Sequence, residues 1–269
     1  MKLELQRPRQ CPNYSLAVCV LASGSKGNAI YISDGFTAIL VDAGFSAKEI
    51  KRRLKFRGLN PKEINAILVT HEHSDHIQAV GVLSRQLGLP VYVNHKIKNT
   101  PSLAKAVHEI RTFKSGSPFR INNLRVHPFA VSHDATEPVG FTIGLNGRRI
   151  GLATDLGTVT PQVLENLKNC HLLIIEANHD PNMLVNGPYP WPLKQRIQSS
   201  SGHLSNQQSK NLLSELQHGQ LQHVILAHLS EINNAPQKVL DEITRVFTRC
   251  TPRLTIASQH RCGEILYLK

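Results

Sequence analysis

Three histidines and an aspartate fall within six positions of the segment Thr70-His71-Glu72-His73-Ser74-Asp75-His76, directly after the apolar run Ala66-Ile67-Leu68-Val69. Imidazole nitrogen and carboxylate oxygen are the usual ligands of zinc, manganese and iron. A strand running into a tight loop throws His71 and His73 to one side of a metal site. Asp75 and His76, at the start of the next helix, reach round to a second ion. A lone His-x-His is more often polar surface than ligand. His-x-His-x-Asp-His behind a strand is a far more specific signal.

The same layout recurs downstream. Apolar residues 124–129 precede Ser132-His133-Asp134. Residues 149–153 run into Thr154-Asp155, residues 172–175 into Glu176-Ala177-Asn178-His179-Asp180, and residues 224–227 into His228. Polar groups of ligand or acid–base type at successive strand ends build a site along one sheet edge. Three earlier strands are expected at 17–22, 29–32 and 38–41, and another at 90–93. Asp34-Gly35 and Asn146-Gly147 suit hairpin turns. Ser46-Ala47-Lys48-Glu49 has capping-box spacing and opens a helix to about Arg57, with Gly58 as its C-terminal cap. A single helix is expected from His76 to Leu87, stopped by Gly88 and Pro90. The Gly-rich turn Ser23-Gly24-Ser25-Lys26-Gly27-Asn28 lacks Walker spacing. Its amides and Asn28 line the site or bind phosphate, or it is a plain hairpin connection. Gly187-Pro188-Tyr189-Pro190-Trp191-Pro192 reads as an irregular surface loop, and Lys194 and Arg196 as flanking a polar loop.

A chain of 269 residues, 41% hydrophobic, can bury a full core. One domain over residues 1–269 is expected, with residues 1–15 a poorly ordered or peripheral N-terminal segment. No apolar run reaches the roughly 18–20 residues of a membrane span. The N-terminus lacks the apolar core of a signal peptide. The expectation is a cytoplasmic protein with no membrane partner. Five scattered cysteines without a Cys-x-x-Cys pair argue against a disulfide framework or a cysteine zinc knuckle. The net charge of +12 favours a polyanionic partner such as nucleic acid. Lys48, Lys51, Arg52, Arg53, Lys55 and Arg57 crowd one stretch, although a solvated helix face accounts for them equally well.

Residues 70–76 taken with His133, Asp155 and His228 resemble the metallo-β-lactamase fold superfamily, over residues 18–268. The resemblance implies an α+β fold, a four-layer αββα sandwich with a metal site at one edge of the two sheets. Four further blocks narrow it: Leu21-Ala22-Ser23-Gly24-Ser25-Lys26-Gly27-Asn28, Ile174-Ile175-Glu176-Ala177-Asn178-His179-Asp180, Ser201-Gly202-His203-Leu204-Ser205-Asn206 and His228-Leu229-Ser230-Glu231-Ile232-Asn233-Asn234. They are similar to the YycJ-like group, bacterial relatives of the transfer-RNA 3′-processing endonuclease that are treated as DNA exonucleases. By resemblance, two divalent ions (zinc, manganese or iron) are held, the first by His71, His73 and His133 and the second by Asp75, His76 and His228. Asp155 bridges them. Such ions lie roughly 3.5–4 Å apart and share a hydroxide nucleophile.

The catalytic set implied is Asp75, His203 and Glu176. Phosphodiester cleavage needs a proton for the leaving alkoxide, and the related transfer-RNA-processing enzymes carry a histidine in a block similar to that of His203. A helix-capping or phosphate-contacting loop histidine is the alternative, and Glu176 is placed to hold His203. Ser25, Asn28, Asn178, His179, Lys194 and Arg196 are the expected substrate-facing residues, although a structural use is slightly favoured for His179. Asp155 and His228 are too close in sequence to enclose the large insertion of the β-CASP nucleases. The redox diiron relatives use an acidic residue where this chain has His73. The expected activity is therefore a dinuclear phosphodiesterase acting on nucleic acid, DNA in preference to RNA, degraded from an end. The competing readings are a hydrolase of a small thioester, lactone or cyclic phosphodiester on the same fold, or a non-catalytic nucleic-acid-binding protein with a structural metal.

Overall fold

The computed structural model describes residues 15–104 and 107–269; residues 1–14 of the expected N-terminal segment lie outside the described residues. The first strands are β1 (Leu16–Ala22), β2 (Ala29–Ser33), β3 (Ala38–Val41), β4 (Ile64–Leu68), β5 (Pro90–Asn94) and β6 (Glu109–Phe113). Those of the second half are β7 (Phe119–Ile121), β8 (Leu124–Ala130), β9 (Val139–Leu145), β10 (Arg148–Ala153), β11 (Leu172–Glu176), β12 (His223–Ala227) and β13 (Arg253–Ile256). The last strand, β14 (Leu266–Leu268), returns to pair with β1.

Among the described residues these form two seven-stranded sheets, ordered β14-β1-β2-β3-β4-β5-β6 and β13-β12-β11-β10-β9-β8-β7. In the first, β14 to β3 pair antiparallel and β3 to β6 parallel. In the second, β7 to β10 pair antiparallel and β10 to β13 parallel. Both halves thus repeat one pairing scheme. Its consequence for the site is direct. β3 and β4 end at the same edge, and β8, β10, β11 and β12 run one way and end at one edge of their sheet.

One face of each strand set meets the other sheet. Val18, Ile32, Ile39, Leu68, Val126, Phe141, Ile143, Leu152 and Ile174 form this central layer. The alternate residues of the first sheet pack against helices α1 (Ala47–Phe56), α2 (Ser74–Ile77), α3 (Val80–Leu87) and α4 (Pro101–Ala104). Those of the second sheet pack beneath α5 (Pro161–Leu167), α8 (Asn206–Leu216) and α9 (Pro236–Ile243), with α6 (Pro181–Asn186) and α7 (Trp191–Gln198) in the connection after β11. This is the expected αββα order. Strands covered on both faces read as continuous apolar runs, which is why β1, β3 and β11 were legible. No helix of the described residues is long and apolar enough to cross a membrane.

The expected turns form. Gly88 caps α3 at φ 65°. Asn146 and Gly147, both at positive φ, make the hairpin between β9 and β10. Three local expectations are corrected. The helix expected from His76 to Leu87 is broken into α2 and α3. The Ala43 amide takes the His76 carbonyl at 2.7 Å and the Ala43 carbonyl takes the Ala79 amide at 2.8 Å, so the strand-exit loop replaces the helical bonds there. At α1, Ser46 accepts from the Glu49 amide, but the Glu49 carboxylate turns to Arg52 and Arg53 rather than closing a capping box. Finally, Lys194 and Arg196 lie within α7, not beside a loop.

Candidate metal centre

The ends of β3 and β4 from one sheet meet those of β8, β10, β11 and β12 from the other. Three residues that leave strands here, Asp42, Asp155 and His228, have φ of 61°, 55° and 56°. Left-handed backbone costs a non-glycine residue of order 1 kcal/mol; here it turns each side chain back into the edge. His71, His76, His133, Asp155 and His228 are buried, and His73 and Asp75 half-buried.

The ligand-type atoms of His71, His73 and His133 lie within 4.8 Å of one another, and so do those of Asp75, His76 and His228. Asp155 sits between the groups. Its Oδ2 is 3.2 Å from His76 Nε2, and its Oδ1 is 3.8 Å from His133 Nε2 and 3.6 Å from His228 Nδ1. Asp155 Oδ2 and His228 Nε2 are buried without a hydrogen-bond partner.

Each of four imidazoles has one nitrogen tied to the protein. His71 Nδ1 is 3.0 Å from Thr70 Oγ1, His76 Nδ1 2.7 Å from Asp42 Oδ2, His133 Nδ1 3.1 Å from the Gly202 carbonyl, and His228 Nδ1 2.8 Å from Glu176 Oε1. Fixing Nδ1 in this way leaves the Nε2 lone pair aimed at the cluster, the arrangement of a metal-ligating histidine. A buried group of imidazoles and carboxylates with orphaned atoms fits a pair of divalent cations.

The electrostatics agree. Burial depresses His76, but Asp155 and Asp42 outweigh it and push the imidazole up to about 10. His228 is likewise raised, against burial, by Asp155, Asp75 and Glu176. Burial raises Asp155, yet the His228 and His76 charges hold it well below the usual carboxylate range. His71 goes the other way, lowered by burial and by the His76 charge. The buried carboxylates thus favour positive charge at His76 and His228, while burial and the His76 charge oppose it at His71.

Glu176, fully buried at the end of β11, organises the open side. Its Oε1 meets His203 Nδ1 and His228 Nδ1, each at 2.8 Å, and its Oε2 accepts the Leu156 and Leu204 amides, each at 3.0 Å. Burial raises its pKa, but His203 and His228 bring it down to about 2. The His203 side chain is 18% exposed against 4% for His228, so His203 alone of the two reaches solvent.

The remaining candidates separate. Asn28 accepts from the Gly24 amide, and its Nδ2 lies 3.0 Å from His76 Nε2 and 3.4 Å from Asp75 Oδ2, at the cluster itself. The Asn178 side chain donates to the His228 carbonyl at 2.8 Å. Lys194 is buried and donates to the Val185 carbonyl, so it is not a free cation. His179 is buried, its Nδ1 has no partner, and burial pushes it down to about 4. Ser25 is exposed, and exposed Arg196 pairs with Asp134 at 2.6 Å beside His133. In the basic stretch, Arg53 is spent on the Leu21 and Gln259 carbonyls, while Lys48, Arg52 and Lys55 are exposed.

Sequence reasoning missed Asp42. Besides His76, it accepts from the Thr70 amide and hydroxyl, each at 2.8 Å. The signal was present, since residues 38–41 are an apolar strand ending in Asp42. It also missed Gly44, where a Cβ would sit 1.6 Å from the Asp75 carbonyl oxygen.

A family model described as a beta-lactamase superfamily domain matches residues 37–229. The chain is 37% identical over 235 residues to exodeoxyribonuclease YycJ of Bacillus anthracis, covering 84% of this chain and 87% of that protein. It is 38% identical over 220 residues to exodeoxyribonuclease WalJ of Streptococcus pneumoniae, covering 80% and 82%. Among solved structures, the metallo-β-lactamase fold protein YhfI from Bacillus subtilis matches with a TM-score of 0.72 at 18% identity, over 93% of this chain and 99% of that one. The short form of human tRNase Z matches with a TM-score of 0.64 at 16% identity, over 93% and 99%. These two likenesses show a shared fold.

Proposed function

Because this chain belongs to the metallo-β-lactamase superfamily and is a metal-dependent hydrolase, we propose that it is an exodeoxyribonuclease. The observation that carries the reaction type is the Glu176 carboxylate shared between His203 and His228. It joins an imidazole that reaches solvent to the buried cluster through one anion. The DNA substrate rests on the two relatives named exodeoxyribonuclease, and the net charge of +12 supports a polyanion.

His71, His73 and His133 would hold one cation, Asp75, His76 and His228 the other, with Asp155 between them. Two such cations lower the pKa of a water and neutralise the phosphodiester's oxygens as charge develops. The donor set is nitrogen and oxygen throughout and accepts zinc, manganese or iron. Asp42, Thr70, Glu176 and the Gly202 carbonyl hold the imidazoles in one tautomer. Glu176 takes His203 by Nδ1, which leaves Nε2–H of the imidazolium to donate to the leaving 3′ or 5′ oxygen. Arg196 is placed beside the cluster to meet a phosphate once it parts from Asp134.

The test is end-labelled single- and double-stranded DNA and RNA, incubated with protein loaded in turn with zinc, manganese and iron. Release of mononucleotides from a DNA end is expected. Turnover of a thioester or lactone with no cleavage of any strand would overturn the reading.

A further inference from the structure

A hollow of about 460 Å³ lies on the outer face of the second sheet, at the end of the strands away from the metal centre. It is built by register. Arg120 on β7 is paired directly with Arg125 on β8, Arg125 with Gly144 on β9, and Gly144 with Arg149 on β10. Phe119, Leu124, Ile143 and Ile150 belong to the central layer, so these alternate residues share the opposite face. Three strand intervals of about 4.8 Å make a row of about 14 Å. Gly144 leaves its floor without a side chain, and Arg148 closes the rim. The row lies at the C-terminal end of α5, where Arg149 donates to the Asn166 carbonyl at 3.1 Å.

Arginines directly opposite on neighbouring strands repel and destabilise a sheet. Among the described residues, no ion pair reaches any of the four arginines, and no carboxylate lines the hollow. Arg120 and Arg125 are exposed. Guanidinium groups clustered over a glycine floor suit phosphate oxygens, which they bind in bidentate fashion.

We propose that this arginine row is a second binding site for the phosphate backbone of the nucleic-acid substrate. It takes the strand away from the end being cleaved. Arg149 stands six residues before Asp155 on the same strand path, so the hollow is about 20 Å from the metal centre. A strand that joins the two must pass over the surface of α5, so it needs at least about six stacked nucleotides at about 3.4 Å each. The proposal rests on the nuclease reading of the metal centre, but it fails separately.

The experiment measures binding of a fluorescent phosphorothioate DNA strand of about 20 nucleotides, and of one of about four, across a salt series. The variants are Arg120→Gln/Arg125→Gln/Arg148→Gln and, alone, Arg125→Glu. The triple variant should weaken binding of the long strand and lower its salt slope by about 2, from three contacts at about 0.7 each. The short strand should bind as before. Arg125→Glu, facing Arg120, should weaken the long strand while melting no lower than wild type. An unchanged slope and affinity for the long strand would overturn the proposal. So would equal weakening of both strands, or a triple variant that melts well below wild type, since the arginines would then be structural. If wild type cleaves no DNA yet the long strand loses slope in the triple variant, the arginine site stands and the nuclease reading falls. If wild type cleaves DNA and the slope is unchanged, the reverse holds.

Discussion

Replacing Glu176 by Gln keeps shape and volume and removes one acceptor. The carboxylate serves four partners, two imidazole nitrogens on Oε1 and two backbone amides on Oε2. An amide has one oxygen, so it can accept for only one of these pairs. If that oxygen stays on the Leu156 and Leu204 amides, the NH₂ group faces His203 and His228. Both rings must then present a bare Nδ1, which moves the His228 proton to Nε2, the atom aimed at the cluster. Losing a group that orients a metal-ligating histidine costs about 10–100-fold in metal affinity. If the amide instead turns its oxygen to the imidazoles, two buried N–H groups lose their acceptor at about 1–3 kcal/mol each. That is a large part of a typical total stability of about 5–15 kcal/mol. One route lowers metal affinity and the other lowers stability, and the variant must show at least one. Chelator competition reads the first and urea denaturation the second. Glu176→Gln with wild-type metal affinity, and with stability within about 0.5 kcal/mol of wild type, would refute the reasoning.

Other outcomes follow from the same geometry. Asp42→Asn weakens the hold on His76 and should lower metal affinity about 10–100-fold, read by elemental analysis and competition; unchanged metal content at limiting metal would count against it. His203→Ala should lower turnover of DNA about 10²–10⁴-fold with metal content intact, and the defect should shrink on a nitrophenyl phosphodiester whose leaving group needs no proton. Gly44→Ala puts a methyl 1.6 Å from the Asp75 carbonyl oxygen, so the variant should fail to fold or lose metal; a stable, metal-replete protein contradicts the close approach. Burial holds the His179 imidazole at about 4, whereas the unfolded chain protonates it near about 6.5. Between those values the unfolded state binds more protons, so this contribution to stability is present above about 6.5 and lost as pH falls towards 4. Denaturation of wild type and His179→Asn should therefore diverge less at pH near 4 than near 7.

Much of the scaffold was legible because its strands are covered on both faces. Runs such as 38–41 and 172–175 are continuously apolar, and polar residues follow them at the site. The strands missed were of another kind. Edge strand β6 alternates charged and apolar residues and is largely exposed, and β7, β13 and β14 are only three or four residues long. Pairing with a neighbour, rather than their own composition, makes them strands. The break between α2 and α3 was equally hidden. It depends on Ala43, far away in sequence, taking the bonds the helix would have made.

The sequence by itself determined which residue types stand at the strand ends, because the apolar runs mark where the strands stop and the histidines and carboxylates that follow them are read directly. Tertiary structure alone decided how each of those residues is used. Asn28, Asn178 and Lys194 have the same donors as a phosphate-binding residue, yet those donors go to the Gly24, His228 and Val185 carbonyls. Asp42 reads like any strand-end aspartate until β3 and β4 lie side by side and bring it to His76. The arginine row does not exist along the chain at all. It arises only when strand register sets Arg120, Arg125 and Arg149 across neighbouring strands, because the contacts that fix a side chain's partners come from residues distant in sequence.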